Sequence, residues 1–543
     1  MSMTTPLPIL SPTSQPMRRE SRLWLTPRGV AILMGIWLLV RWALAAITQI
    51  VPDEAYYWVW SRHPALSYFD HPPMIAYLIR FGTSVFGDTS IGVRWPGTLL
   101  ALGTVLILWR AAAKLIGDEK VAVFVPVSLL LGPVVNVLGA IMTPDTPACF
   151  FQAAALAVVL DIFSARALFP SPDTPGEGKG GGLQRGENFD ALEPPPQPSP
   201  GVPEEGERCA AKRWIAFGLL MGFALLSKYT SGLFGAAVLA AMLCSSDGRQ
   251  QLRTPWPWLA GILAFTLFTP VIIWNAQHNW ASFAFQLGHG VANSMSPLSG
   301  ELGYLGGQCI VCTPILFILG MVVLVHFWRR RISTQTRILL FAATIPLVFF
   351  GYSALHRRVE ANWPIFAYLP LSILIAQYLA ENWSRQRVVW AEVAIKVALI
   401  ATIVIHLPIL VWAISPRLGT SQWDEMFGWP QLAQRVQELR DDSPVIAVDY
   451  HLASELSFYL PGHPDIPVIW GEQRPTAFDY IFPRPDLAAY PRVVLVRRMM
   501  PPNDIPQPDW RFVPYFRHFD YVTVESVQQG RLLRKTLITV NTR

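Results

Sequence analysis

Apolar runs of about 20 residues, each closed by a basic or polar turn, recur from Val30 to Ile414 and leave the chain one setting in which to fold. A soluble core helix carries a single apolar stripe. Val30–Ile50, Ile91–Trp109, Ala148–Phe169 and Val389–Ile414 are instead apolar nearly all round. Such segments belong in lipid, where a helix satisfies its own backbone groups. Only 15% of residues are charged, against about 25% in a soluble domain. Trp and Pro are abundant, at 21 and 47 residues. Both suit this class, because Trp anchors helix ends at the interface and membrane helices accommodate Pro.

The basic turns set the orientation. Arg18, Arg19, Arg22 and Arg28 precede the first run, which predicts a cytoplasmic tail over residues 1–28 and an uncleaved first helix. Alternation then puts Arg110, Lys114 and Lys120, Arg249 and Arg253, Arg329–Arg331, and Arg385 with Arg387 on the inner face. About eleven crossings, and no more than 13, account for this pattern over residues 29–414. Trp214–Ser227 and Leu233–Leu243 are each short for a span; either two short helices break at Lys228–Gly232, which the alternation favours, or they form one long helix. Residues 170–213, with GEGKGGG and EPPPQPSPGVPEEGE, predict a disordered cytoplasmic insert. From Ser415 the composition is that of a soluble domain. Short β-rich runs at Val445–Val448, Val468–Trp470, Val493–Val496 and Leu532–Val540 predict an external α/β or α+β unit over residues 415–543. The net charge of +6 reads as inner-loop charge and not as a nucleic-acid patch. Cys309 and Cys312 have CxxC spacing without the second pair that a metal site requires, so helix packing is the expected role.

Four polar motifs fall on the same outer face. They are VPDEAYYWVWSRHPALSYFDHPP, which opens the external loop 51–90; TPDTP at Thr143–Pro147; KYTSG at Lys228–Gly232; and HRRVEANWP at His356–Pro364. A long external loop, Asn275–Gln308, is expected beside them, with His278 and His289 read as ordinary loop residues. An ionisable residue at membrane depth costs on the order of 3 kcal/mol, which makes each motif a functional candidate. Blander readings exist for most of them. Asp53 and Glu54 suit the first turn of an interfacial helix, Asp145 an N-cap, Lys228 a snorkelling side chain, and Arg357 with Arg358 a lipid headgroup contact. Tyr56 and Tyr57 belong to an interfacial belt first and to sugar stacking second. Convergence on one face favours a site.

An external site with acids and several bases at the membrane surface suits a lipid-linked phosphate. Departure of a sugar from such a carrier leaves an anion that preorganised cations stabilise, and Lys228, Arg357 and Arg358 are the candidates. An attacking hydroxyl needs a carboxylate base, with Asp53 first and Asp145 as a second acid that orients the acceptor or tunes Asp53. Asp70, His71, Tyr229, Glu360 and Asn362 complete the candidate substrate contacts. Asp70 and His71 are also candidate ligands of a divalent metal, although two ligands are too few to define a site. The rival reading is a transporter or flippase of lipid-linked sugars, but the chain shows no internal repeat and its motifs gather at one face, not the midplane.

DEAYYWVWS followed by LSYFDHPP resembles the first external loop of glycosyltransferase family 39, and TPDTP, LLSKYTSG and HRRVEANWP resemble stretches of its bacterial members. That family includes protein O-mannosyltransferases and lipid A aminoarabinose transferases, and the resemblance implies its C-type membrane fold. It further implies that Asp53 is the catalytic carboxylate, with Glu54 completing the acidic pair. The implied donor is a polyprenyl-phosphate sugar, used with inversion at the periplasmic face of a bacterial inner membrane; the acceptor is a lipid, glycan or protein. One position departs: aminoarabinose transferases carry a phosphate-contacting lysine where this chain has His71. Aminoarabinose therefore does not follow as the sugar.

Overall fold

The computed structural model describes residues 26–164, 205–288, 297–382, 427–469, 474–499, 506–528 and 531–543, with a few positions between 393 and 404. The expected N-terminal tail, most of the insert and most of the last span lie outside the described residues. The membrane part is helical: α1 (Pro27–Ile47), α2 (Pro52–Arg62), α3 (Met74–Phe86), α4 (Ser90–Ile116), α5 (Glu119–Ala122), α6 (Phe124–Leu131), α7 (Pro133–Ala140), α8 (Asp145–Ser164), α9 (Glu205–Ser227), α10 (Gly232–Leu243), α11 (Ser246–Leu252), α12 (Trp256–Gln277), α13 (Ala281–Gly288), α14 (Pro297–Cys312), α15 (Pro314–Trp328), α16 (Thr334–Ala354) and α17 (Tyr368–Glu381).

Among the described residues, six helices are long and apolar enough to cross a membrane, and nine segments are if each bent pair counts once. With the shorter apolar helix at Ile365–Glu381, these match all the expected crossings before the last one. The bends have local causes. Gly132 and Pro133 part α6 from α7, where the axis turns by 53°. Thr313 takes φ 68° ahead of Pro314, and α14 turns by 105° into α15.

Two sequence expectations need correction. Residues 205–213, assigned to the disordered insert, begin α9. Asn275–Gln308, expected as a loop on its Gly and Ser content, contains α13 and most of α14. In α14 the glycines serve close packing: a Cβ at Gly300 would overlap the Ala354 carbonyl, and one at Gly307 would stand 3.0 Å from the Ala361 Cβ.

The C-terminal domain contains α18 (Trp429–Arg440), β1 (Val445–Ala447), α19 (Tyr450–Tyr459), α20 (Phe478–Ile481), β2 (Arg492–Arg498), β3 (His518–Gln528) and β4 (Arg531–Thr542). Its sheet has the order β1-β2-β4-β3, with β1 parallel to β2 and the other pairs antiparallel. Of the run expected at Val468–Trp470, Val468 bridges to Ala447 and Trp470 lies outside the described residues, while β3 was not anticipated. Val493–Val496 is buried throughout because both sheet faces are covered. One face packs Ile446, Val493 and Leu495 on Phe512 and Phe516. The other joins Val494, Val496 and Ile538 to α18, α19, and Trp58, Trp60 and Ile75 of the segment after α1. The soluble domain and the loop after α1 thus share one apolar core.

Candidate active site

Val51 is extended and Pro52 starts α2, which puts Asp53 and Glu54 in the first turn. Neighbouring helical residues point about 100° apart, so the pair divides. Asp53 opens into a cavity of about 560 Å³. Glu54 turns inward and is fully buried: Arg94 of α4 binds it at 2.6 Å, and its carboxylate also accepts the Met142 and Val51 N–H groups. Expected in the catalytic pair, Glu54 instead ties α2 to α4 and to the start of the Thr143–Pro147 turn, outside the cavity lining.

The cavity collects the separate motifs. Asp53, Tyr57, Asp70, His71, Asp145, Lys228, Tyr229, Arg357 and Asn362 all line it. Burial raises the Tyr57 phenol well above its usual range, and Asp53, Asp70 and Asp145 around it add to the rise, so this ring remains a neutral donor at the centre of the carboxylates. The helix break after Ser227 leaves Lys228 extended between α9 and the turn at Tyr229–Ser231. Its Nζ lies 2.5 Å from Asp145 Oδ1, while Asn362 Nδ2 donates to Asp145 Oδ2 at 3.0 Å. Both carboxylate oxygens of Asp145 are engaged, which suits positioning of Lys228. Tyr229 shares a 2.7 Å hydrogen bond with Ser282 of α13.

Asp70 is engaged on both oxygens as well. Tyr56 donates to Oδ2 at 2.5 Å, and Arg474 of the C-terminal domain to Oδ1 at 2.8 Å. Tyr56 itself lies behind the cavity wall, its hydroxyl accepting the Ala477 N–H at 2.6 Å. Burial, reinforced by Lys228, pushes the His71 imidazole down to about 3, so at neutral pH it is an uncharged hydrogen-bonding group. The residues do not fit a metal at Asp70 and His71: the Asp70 oxygens already have partners, and no cluster of three ligand-type side chains occurs among the described residues.

Arg357 and Arg358 diverge like the acid pair. Arg357 lines the cavity with its guanidinium 5.0 Å from the Trp363 ring centre and its Nε without a hydrogen-bond partner among the described residues. Arg358 is exposed and pairs with Glu360 at 3.1 Å; neither lines the cavity. Sequence reasoning missed Arg474, Phe285 and Gln286 in the lining, and His451, whose Nε2 stands 3.7 Å from Asp53 Oδ1. No motif marks any of them.

The lining residues among those described include three carboxylates and three basic side chains. Lys228 with Asp145 and Arg474 with Asp70 form contact pairs, which among the described residues leaves Asp53 and Arg357 outside any ion pair closer than 3.7 Å. A carboxylate and a guanidinium on one open cavity equip it for proton removal and anion stabilisation.

The chain is similar to several known glycosyltransferases. A family model described as dolichyl-phosphate-mannose-protein mannosyltransferase matches residues 70–168 and 206–274. The lipid A galacturonosyltransferase RgtD of Rhizobium johnstonii is 23% identical over 377 residues, which cover 66% of this chain and 67% of RgtD. Crystal structures of ArnT from Cupriavidus metallidurans superpose with a TM-score of 0.61 at 15% identity. The apo form covers 94% of this chain and 97% of ArnT; the form bound to undecaprenyl phosphate covers 95% and 98%. With its several apolar spans, the fold of ArnT and its similarity to RgtD and to the mannosyltransferase family model, the chain is a multi-pass membrane glycosyltransferase.

Proposed function

We propose that the protein transfers a sugar from a polyprenyl-phosphate carrier to a hydroxyl or phosphate of an envelope glycolipid, with inversion, at the periplasmic face of a bacterial inner membrane. The observation that carries this reading is the pairing pattern in the cavity: among the described residues, Asp53 and Arg357 are the charged lining groups left outside the contact ion pairs. Asp53 accepts the proton of an acceptor hydroxyl as its oxygen bonds to the anomeric carbon. The bond from that carbon to the phosphate oxygen breaks with its electron pair, so the carrier phosphate gains one negative charge. Arg357 offers a planar fork to that charge, and Lys228, held by Asp145 and Asn362, adds a second cation. The polyprenyl phosphate in the ArnT structure supports the donor class, and the lipid A substrate in the name of RgtD supports the glycolipid. The basic turn at Arg329–Arg331, at the opposite end of α15 from the bend at Thr313, supports the outward orientation of the site.

Asp53→Asn keeps the shape and removes the base. Transfer is expected to fall about 10²- to 10⁴-fold with the folded yield unchanged. The measurement is mass spectrometry of envelope glycolipids from a deletion strain complemented with each variant, and wild-type modification by Asp53→Asn would rule out the base assignment. Arg357→Ala is expected to weaken apparent donor affinity on the order of tenfold. An unchanged donor KM removes Arg357 from the phosphate site.

A further inference from the structure

The carboxylates in and beside the cavity are not held alike. Glu54, Asp70 and Asp145 each have both oxygens engaged. Asp53 is the exception: among the described residues no hydrogen bond reaches its carboxylate, and 61% of its side chain is exposed. An unrestrained carboxylate populates several rotamers, of which only some aim an oxygen at a given hydroxyl. Proton removal needs that oxygen within hydrogen-bond reach, so a loosely held base loses rate unless something turns it.

The basic side chain that approaches Asp53 is His451 of the C-terminal domain, its Nε2 3.7 Å from Oδ1 and outside the cavity lining. His451 is the second residue of α19, whose start is fixed by Asp449 accepting the Leu452 N–H at 2.9 Å. The Tyr450 ring centre, 4.0 Å from that of the imidazole, limits how far the ring can swing. Helix α19 is seated on α2 along its length. The Tyr450 ring centre lies 4.6 Å from that of Tyr56, and the Phe458 ring centre 5.0 Å from that of Trp58. The Tyr459 hydroxyl accepts the Ile50 N–H at 3.2 Å, just before α2 begins. On the other side, Glu54 is locked to Arg94, which fixes the backbone next to Asp53. Two fixed backbones therefore present an imidazole and a carboxylate to each other. The gap is one small side-chain rotation wider than a hydrogen bond, and such bonds often tighten only around the reacting complex.

We infer that His451 is a positioning residue: its Nε2–H donates to Asp53 Oδ1 and turns Oδ2 toward the hydroxyl whose proton Asp53 removes. This rests on the reading of Asp53 as the base. An imidazole can donate from Nε2 in its neutral Nε2–H tautomer as well as in its protonated form, so the role needs no particular charge. The C-terminal domain thereby supplies the group that aims the base, and the packing of α19 on α2 sets the aim.

The test mixes purified full-length protein with detergent-solubilised envelope membranes of a deletion strain, which supply donor and acceptor. The initial rate of glycolipid modification is read by mass spectrometry, and undecaprenyl phosphate is titrated separately as a binding probe. The proteins are wild type, His451→Ala, His451→Gln, Asp53→Asn and the double variant Asp53→Asn/His451→Ala. His451→Ala is expected to slow transfer on the order of tenfold. Its melting temperature should be unchanged and its undecaprenyl phosphate affinity within about twofold of wild type. His451→Gln should recover most of the rate, because its amide nitrogen can donate from about the place of the imidazole Nε2. In the Asp53→Asn background, His451→Ala should cause no further loss, since nothing is left to aim. A wild-type rate in His451→Ala overturns the inference, as does a Gln variant as slow as the Ala one. The same fractional loss in both backgrounds overturns it too, because His451 would then act independently of Asp53. So does a rate loss matched by a lower melting temperature and weaker undecaprenyl phosphate binding, which is the mark of domain undocking. Full activity of Asp53→Asn defeats the base assignment and the inference with it, whereas failure of the His451 arms alone leaves that assignment standing.

Discussion

Lys228 and Asp145 have side chains only 11% and 7% exposed, so removing either strands the other as a lone buried charge. Lys228→Gln and Asp145→Asn are each expected to cut transfer on the order of 100-fold, and the double variant no further than the worse single one, because the two act as a unit. Additive losses in the same glycolipid assay would show that they act separately. His71 gives a pH signature. Its folded pKa of about 3 lies below the unfolded value, so the unfolded chain binds the extra proton first. Its neutral form therefore costs nothing above about pH 6.5, and stability is lost progressively as the pH falls from there toward 3. Between pH 7 and pH 5 the loss should be about 1 kcal/mol, reduced from the full linkage value by water in the cavity. His71→Asn should remove that part of the slope in thermal melts at the two pH values. A slope unchanged by the substitution places the titration elsewhere. The residue identities were unevenly legible. Asp53, Asp145, Lys228 and Arg357 sit in motifs whose polarity conflicts with their apolar surroundings, and that conflict is visible in a linear sequence. Adjacent pairs are harder: Asp53 and Glu54 read alike, and only helical rotation sends one to the cavity and the other to Arg94. Arg474 carries no such signal, because charge is unremarkable in a soluble domain.

Secondary-structure elements hold these side chains through close contacts that single substitutions can test. Glu54 is bound by Arg94 near the N-terminal end of α4, with both side chains almost fully buried. Arg94→Ala leaves that carboxylate without its cation and is expected to cost about 3 to 5 kcal/mol, read as a lower melting temperature and faster proteolysis in detergent. An unchanged melting temperature would mean that the α2–α4 tie is dispensable. Gly300 of α14 lies under the Ala354–Arg357 corner, where a methyl group would overlap the Ala354 carbonyl. Gly300→Ala should therefore displace Arg357, weakening donor affinity more than global stability; a drop in melting temperature with a normal donor KM would refute that coupling. The glycines of α14 also explain why the sequence reads there as a loop. In water glycine breaks helices, whereas between packed membrane helices it lets backbones approach, and composition alone does not distinguish the two uses. Spans such as α4 and α12 were legible because their apolar faces need no partner to be recognised.

For the molecule as a whole, the C-terminal domain is part of the enzyme's active half. Its sheet and α19 bury apolar side chains against Trp58, Trp60 and Ile75, and its Arg474 closes on Asp70. The sequence announced the domain by its composition but gave no hint of the shared core, since alternating apolar residues in a strand look the same whether they face a helix of their own domain or one 400 positions away. That separation has a consequence for biosynthesis. Asp70 and Arg474 are 404 positions apart, and at about 5 to 20 residues per second a ribosome needs roughly 20 to 80 s to travel from one to the other. During that interval Asp70 and the aromatic residues around it have left the ribosome and await the rest of their wall. Until translation has delivered the last spans and the C-terminal domain, the cavity therefore lacks Arg357, Asn362 and Arg474 from its lining.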